Sequence, residues 1–139
     1  MKKLPELLAP AGSLECLKAA VCGGADAVYF GVPQFNARMK AKNFTPDELE
    51  QAFELCALYG VKTNVTLNTL LYGREFAPAL DVVAGLEEKY RPDAYIVQDL
   101  GLARELKKRF PDIVLHASTQ AEVHNAFGLE PFVRLGFSR

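Results

Sequence analysis

Short apolar segments alternate along this chain with longer segments whose apolar residues recur at helical spacing. The predicted strands are residues 6–9, 27–31, 61–67, 94–98 and 113–117. The predicted helices are residues 14–22, 46–59, 75–90, 101–110 and part of 124–135. This alternation is typical of a parallel sheet covered by helices. The final GFSR stands where a sixth strand is expected to begin.

Capping residues support these boundaries. Ser13 is placed to cap the first helix. The sequence TPDE at residues 45–48 puts proline at the first helical position and glutamate at the capping-box position. Glycines follow the predicted helix ends, as at Gly60 and Gly136.

Two architectures fit this order of elements: an open doubly wound sheet and an eight-stranded β/α barrel. Residues 10–12, after strand 1, do not form a G-x-G-x-x-G phosphate fingerprint. Polar residues end every strand rather than one switch point, and the chain stops at the start of another strand. The sequence therefore predicts one α/β domain over residues 1–139, comprising five units of a TIM-type barrel truncated before strand 6.

Charge and hydropathy narrow the function only slightly. The 16 Lys+Arg and 17 Asp+Glu nearly cancel, which excludes a nonspecific nucleic-acid or membrane-surface binder but leaves an enzyme acting on one structured RNA. The N-terminal apolar stretch is interrupted by Pro5, Glu6 and Pro10, so no signal peptide is expected. No apolar run approaches the roughly 18 residues of a membrane span. We therefore expect a cytoplasmic protein without a membrane partner.

The three cysteines do not suggest a disulfide framework. We expect Cys16, Cys22 and Cys56 to be buried or half-buried thiols within helices. The alternative is a metal site built from Cys16 and Cys22, but their spacing does not place them on one helical face. No metal site is expected in this chain.

Candidate functional residues lie at the carboxyl ends of the strands, where ligands bind in parallel α/β folds, with Glu6 on strand 1 itself. They are Glu6, Asn36, Arg38, Asn68, Gln98, Asp99, His116, Thr119 and Gln120. Neutral amides and hydroxyls dominate this set, and such groups orient a polar ligand.

The two candidates for catalysis, His116 and Asp99, each have a structural alternative. His116 lies in an otherwise apolar strand, where a histidine is often a satisfied core residue. Asp99 precedes a helix, so its alternative role is an N-cap. A serine hydrolase triad with Ser118 is disfavoured, because no nucleophile elbow surrounds that serine.

The charged candidates also have two interpretations. An inward-facing Glu6 requires a partner, and we suggest Arg38 for that role. Arg38, Lys40 and Lys42 share a loop with Asn36, and such a loop either binds an anionic group or is simply solvated.

Six short strings occur in order and at consistent spacing. They are ELLAPAG (6–12), GADAVYFG (24–31), NARMKAKNF (36–44), VTLNT (65–69), VQDLG (97–101) and HASTQ (116–120). Together they closely resemble the N-terminal region of the collagenase-like peptidases, family U32, over residues 5–139. The resemblance implies a barrel that continues past residue 139.

Members of that family are described as peptidases, and others are implicated in oxygen-independent hydroxylation of RNA bases or a quinone precursor. The hydroxylating members use an iron–sulfur cluster held by cysteines that belong to the downstream part, so none is expected on this chain. The resemblance implies ligand-facing roles for Asn36, Arg38, Asn68, Gln98, Asp99, His116, Thr119 and Gln120.

Three functional hypotheses follow. The first is cofactor-assisted hydroxylation of a tRNA or rRNA base, or of an aromatic ring precursor, by the full-length protein, with this fragment alone inactive. The second is a peptidase acting on collagen-like substrates. The third is a half barrel that binds RNA or a small anion without catalysis.

Five strands of an eight-stranded barrel leave two unpaired edges and uncovered apolar surface. We therefore expect the 139-residue chain by itself to form homodimers or larger assemblies. Light scattering over a concentration series measures this. A monomer that persists at high concentration would contradict the expectation.

Overall fold

The computed structural model describes residues 4–37 and 44–139, in which strands and helices alternate. The strands are β1 (Leu8–Pro10), β2 (Ala27–Gly31), β3 (Lys62–Leu67), β4 (Ala94–Val97) and β5 (Leu115–Ala117). The helices are α1 (Leu14–Cys22), α2 (Pro46–Tyr59), α3 (Phe76–Lys89), α4 (Leu100–Arg109) and α5 (Ala126–Arg134). Short 3-10 turns occupy Gly73–Glu75 and Thr119–Ala121.

The strands form one parallel sheet in the order β1-β2-β3-β4-β5. A doubly wound sheet reverses its strand order at a switch point, whereas this order does not reverse. Because crossovers between parallel strands are right-handed, a constant direction of winding places all the helices on one face. Phe137 bridges Leu115 in parallel, so a sixth strand begins where GFSR predicted it. These features confirm the barrel-type arrangement.

An ion pair shows that the sheet curls. The guanidinium of Arg139, beside β5, donates to a carboxylate oxygen of Glu6, before β1, at 2.9 Å. Neighbouring strands lie about 4.8 Å apart, so the first and sixth strands of a flat sheet would be about 24 Å apart. Two side chains do not reach across that gap. The sheet therefore bends toward itself on the face opposite the helices.

The helix-facing side of the sheet forms the hydrophobic core. Phe30 pairs with Val65, which pairs with Tyr95, and that residue pairs with Leu115. All four are buried. Paired residues of parallel strands point to the same side, so this row is covered by the helices.

Aromatic rings extend the core from β2 to α3. The Phe30 ring lies 5.3 Å from that of Phe44 and 5.4 Å from that of Phe53. Phe53 in turn stacks on Tyr90 at 4.3 Å. The first two centroid distances are in the favourable range for aromatic pairs, and Phe53 and Tyr90 stack face to face, so the rings tie α2 and the end of α3 to the sheet.

The predicted caps are present. The Ser13 side chain accepts from the Cys16 amide at 3.2 Å. Thr45 and Glu48 form the reciprocal capping box, and Gly60 ends α2 with a positive φ of 67°. Side-chain acceptors at helix N-termini satisfy amides that have no partner within the helix. Of the helices in the described part of the chain, none is long and apolar enough to cross a bilayer.

The structure corrects some details of the prediction. β1 begins two residues later than predicted, because the Leu7 amide donates to the Asp26 side chain, and the Leu7 carbonyl accepts from the Asp26 and Ala27 amides, before the regular ladder starts. β5 likewise begins at Leu115 rather than residue 113. The expected burial of cysteines is wrong for Cys16 and Cys22, which are exposed, since Leu17 and Val21 take the buried side of α1.

Phe30→Ala tests whether the aromatic ring of Phe30, on β2, lies at the centre of the hydrophobic core. The side chain is 2 % exposed, and deleting a buried aromatic ring costs about 3–5 kcal/mol. Urea unfolding should show that loss. The matched control is Phe127→Ala at a ring that is 90 % exposed, where a change within about 0.5 kcal/mol is expected. Similar losses in both variants would contradict the assignment of the core.

Candidate active site

The face of the sheet opposite the helices carries polar side chains. In register, Tyr29 pairs with Asn64, Gly31 with Thr66, and Ile96 with His116. We call this side the inner face, because the sheet curls toward it. In β/α barrels the carboxyl ends of the strands on this side form the active site.

An ionic cluster of Glu6, Lys62 and Arg139 lies on the inner face. One carboxylate oxygen of Glu6 accepts from Lys62 Nζ at 2.9 Å, and the other accepts from Arg139 at 2.9 Å. The hydrogen bond from Lys62, followed by that from Arg139, holds the pKa of Glu6 below its ordinary value. The partner that this carboxylate requires is thus supplied twice. The suggested partner, Arg38, lies outside the described residues.

His116 is close enough to this cluster for the charges of the cluster to shift the pKa of its imidazole. Its Nδ1 is buried and has no hydrogen-bond partner among the described residues. Burial, and next the cation of Arg139, lower the pKa of His116, while Glu6 opposes them. The imidazole is therefore neutral near neutral pH. A buried ring nitrogen without a protein partner is uncommon, because buried polar groups are normally hydrogen-bonded.

Asn36 and Asn68 shape the rim above β2 and β3. The Asn68 side-chain oxygen accepts from the Ala37 amide at 3.0 Å, which ties the loop after β2 to the end of β3. Asn36 is buried, and its amide nitrogen donates to the Val32 carbonyl. A Cβ at Gly31 would lie 2.6 Å from the Asn36 Cγ, so only glycine accommodates this amide.

Asp99 and Gln98 connect the next loops in the same way. One oxygen of Asp99 caps α4 by accepting from the Leu102 amide at 2.9 Å. Its other oxygen accepts from the Leu71 amide at 3.1 Å and thereby holds the loop after β3. The Gln98 amide nitrogen donates to the Gln120 carbonyl at 3.0 Å, which joins β4 to the loop after β5.

The turn after β5 buries its first side chain and exposes the next two. Ser118 is buried, and its hydroxyl accepts from the Gln120 amide at 3.1 Å. Thr119 and Gln120 are exposed. The serine thus begins the 3-10 turn rather than standing on a nucleophile elbow, and the two following side chains are available to a ligand.

The predicted site residues fall into two levels. The strand-end residues Asn36, Asn68, Gln98, Asp99, Thr119 and Gln120 form the rim. Glu6 and His116 instead belong to the inner face with the ionic cluster. The cap proposed for Asp99 as its alternative role is present, and its catalytic role stays a prediction. Arg38, Lys40 and Lys42 fall outside the described residues.

Lys62 and Arg139 were missed as site residues. The signal for Lys62 was available, because polar residues recur at every second position through Lys62, Asn64, Thr66 and Asn68. Alternation of period two assigns all of these to one face. Arg139 carried no such signal, since its proximity to Glu6 depends on the curl of the sheet.

The described residues do not fit an iron–sulfur cluster. Cys16 and Cys22 are exposed on α1, while Cys56 is buried in α2. Burial raises the pKa of the Cys56 thiol to about 11, which keeps it protonated. Within residues 4–37 and 44–139, no three His, Cys, Asp or Glu side chains are grouped to hold a metal ion.

Comparison with known proteins agrees with the sequence resemblance. The sequence profile of peptidase family U32 matches residues 12–139. The chain is 38 % identical over 134 residues to the 23S rRNA 5-hydroxycytidine synthase of Escherichia coli, covering 96 % of this chain and 20 % of that protein. It is 37 % identical to a tRNA hydroxylation protein of Bacillus subtilis, covering 88 % of this chain and 29 % of that protein.

A relative with a different name is equally similar. The chain is 36 % identical to the collagenase of Porphyromonas gingivalis, covering 93 % of this chain and 31 % of that protein. Among solved structures, a U32 peptidase superposes with a TM-score of 0.79 at 18 % identity, covering 99 % of this chain and 57 % of that chain. That likeness shows the fold. The chain spans about a fifth to a third of the length of the curated relatives it matches.

The lowered pKa of His116 predicts a loss of stability on mild acidification. Its ordinary pKa is 6.5 and its folded pKa is lower, so the unfolded chain binds more protons between the two values. The free energy of unfolding should therefore fall as the pH drops below about 6.5. The carboxylate of Glu6, whose pKa is lowered from 4.5, loses its contribution only in more acidic solution.

His116→Gln removes this titration and keeps a polar side chain. Urea midpoints at about pH 7.5 and about pH 5.5 should differ less in the variant than in the parent protein. An equal loss in both proteins would show that another group causes the acid sensitivity.

Proposed function

The chain belongs to peptidase family U32, and from that membership we propose that it orients the substrate in an enzyme that hydroxylates a base of tRNA or rRNA. Relatives named for rRNA and tRNA hydroxylation align with 88 % or more of this chain. The observation that carries the proposal is the chemistry of the inner face and rim, where neutral amides, hydroxyls and an imidazole predominate. A nucleobase is planar and polar, and proteins recognise it through such hydrogen-bonding groups.

His116 has a specific role in this proposal. Its imidazole, half-buried on the inner face, receives a hydrogen bond from, or donates one to, the substrate. Burial keeps the ring neutral, so it binds by a directed hydrogen bond rather than by charge. Thr119 and Gln120 contact the substrate from the rim, where their side chains are exposed.

The other predicted residues position the site. Asn68, Gln98 and Asp99 each join a strand end to the backbone of a neighbouring loop. Holding those loops in place fixes the distances between the groups that bind the substrate, and positioning of this kind supports rate as well as affinity. Glu6, held by two cations, contributes a fixed charge beneath them.

Oxygen-independent hydroxylation requires a redox group, and an iron–sulfur cluster supplies electron transfer when bound. Since the cysteines of the described residues do not form a site for it, we propose that the cluster is held by the part of the protein outside this chain. The half barrel then binds and orients the substrate next to a cofactor held elsewhere.

Peptide hydrolysis is the second candidate. It is favoured by the name of the Porphyromonas relative, which is 36 % identical to this chain. An activated nucleophile or a metal is required for that reaction. Ser118, two residues after His116 in the chain, is a candidate nucleophile. Its hydroxyl oxygen, however, accepts a hydrogen bond from the Gln120 amide and caps the 3-10 turn.

Expression of the full-length protein in a host that lacks RNA hydroxylation enzymes tests both candidates. We expect nucleosides from tRNA or rRNA to gain one oxygen atom, as detected by mass spectrometry. His116→Ala should reduce this product about tenfold or more, because a lost hydrogen bond to a buried group costs about 1–3 kcal/mol. His124→Ala, at the exposed second histidine, is the matched control and should retain activity.

Gelatin is the substrate that tests the second candidate function, peptide hydrolysis. If RNA stays unmodified, and the protein cleaves gelatin but the His116→Ala variant does not, the proposed function is proteolysis and not hydroxylation. Iron analysis after anaerobic purification of the full-length protein tests the proposed cluster separately.

A further inference from the structure

Large apolar side chains are exposed at the rim. Leu70 and Tyr72 follow β3, Leu100 opens α4, and Phe127 is the second residue of α5. All four lie where strands lead into helices, so they share the edge of the sheet that carries the candidate site. Tyr72 is 72 % exposed, which leaves both its ring and its hydroxyl accessible.

The backbone that carries Tyr72 is held in place. The Tyr72 amide donates to the Glu75 carboxylate at 2.8 Å, and the Glu75 amide donates to the Tyr72 carbonyl at 2.8 Å. The preceding Leu71 amide donates to Asp99 at 3.1 Å. An aromatic ring on a fixed backbone loses little conformational freedom when a ligand binds, and this favours affinity.

Arg74 lies over one face of the ring, which leaves the other face open. Its guanidinium carbon is 5.9 Å from the Tyr72 ring centroid, at the limit of a cation–π contact. None of the ion pairs between described residues involves Arg74. Its positive charge is therefore available to an anion that approaches the ring.

We infer that Tyr72 and Arg74 form a stacking platform for an unpaired nucleobase and the phosphate beside it in the RNA substrate. The inference rests on the proposed function and adds a named contact surface to it. Aromatic side chains stack on unpaired bases, and arginine pairs with phosphate through its planar fork. A base can stack on the open face of the Tyr72 ring while Arg74, over the other face, pairs with the neighbouring phosphate.

A proline-rich peptide is the other ligand that docks on an exposed tyrosine. A proline ring uses the aromatic face but has no charge to pair with Arg74. The cation over the ring therefore favours RNA. The hydrogen bond from the Leu71 amide to Asp99 holds this platform at the carboxyl end of the sheet, beside the start of α4.

Fluorescence anisotropy of the full-length protein with a labelled single-stranded oligouridine RNA tests the platform. Tyr72→Ala should weaken binding roughly five- to a hundredfold, the range seen when a stacking side chain is removed. Tyr72→Phe keeps the ring and should bind within about twofold of the parent protein. Arg74→Ala should weaken binding and flatten its dependence on salt, because one phosphate contact is lost.

Tyr59→Ala is the matched control. Tyr59 is also exposed, at 63 %, but it ends α2 at the opposite edge of the sheet. Its loss should leave RNA affinity unchanged. Unchanged affinity in Tyr72→Ala, or an equal decrease in Tyr59→Ala, would overturn the platform.

Two further readouts separate the possible causes. A lowered melting temperature of Tyr72→Ala with unchanged RNA affinity would assign the ring to packing within the full-length protein and overturn the inference. Competition by a collagen-like peptide, lost in Tyr72→Ala while RNA binding persists, would do the same. If RNA binding depends on Tyr72 but no base gains oxygen, the platform stands and the proposed hydroxylation fails.

Discussion

The curl of the parallel sheet is the constraint on which the other features depend. Five strands joined in sequence, with every helix on one face, expose a second face that the curl turns inward. The contact between Glu6 and Arg139, 133 residues apart in the chain, shows that this curvature brings the ends of the sheet together. Each strand residue is consequently assigned either to the packed helical side or to the polar inner side, and one residue of slippage would exchange them.

The inner face combines charge with a neutral imidazole. Lys62 and Arg139 are half exposed, so their ion pairs with Glu6 contribute little to stability, as surface pairs generally do. Their effect is instead to fix a carboxylate and two cations near His116. Burial is the main cause of the lowered pKa of that imidazole, and the two cations add to it. The His116 imidazole is therefore an uncharged, directional hydrogen-bonding group close to one carboxylate and two cations.

At the rim, the amides and the carboxylate hold loops as well as facing a ligand. Asn68, Asp99 and Gln98 each link one strand end to the next loop, so successive β/α units are connected through side chains where ligands bind. The strings that resemble family U32 include these three residues. Their presence in the motif strings has a structural explanation in addition to a functional one, and the groups left for direct contact are mainly His116, Thr119, Gln120 and the Tyr72 platform.

The sequence by itself determined the order of elements, their caps and the polar strand ends. These follow from local periodicity and from capping chemistry, which act within a few residues, as in the capping box of Thr45 and the period-two alternation of β3. Only the tertiary structure decided the partners of Glu6, the unpartnered nitrogen of His116 and the bridge from Asp99 to Leu71. The contacts of Glu6 and of Asp99 join residues 28 to 133 positions apart. Their formation, and the burial of the His116 nitrogen, depend on strand register and sheet curvature, which no local pattern encodes.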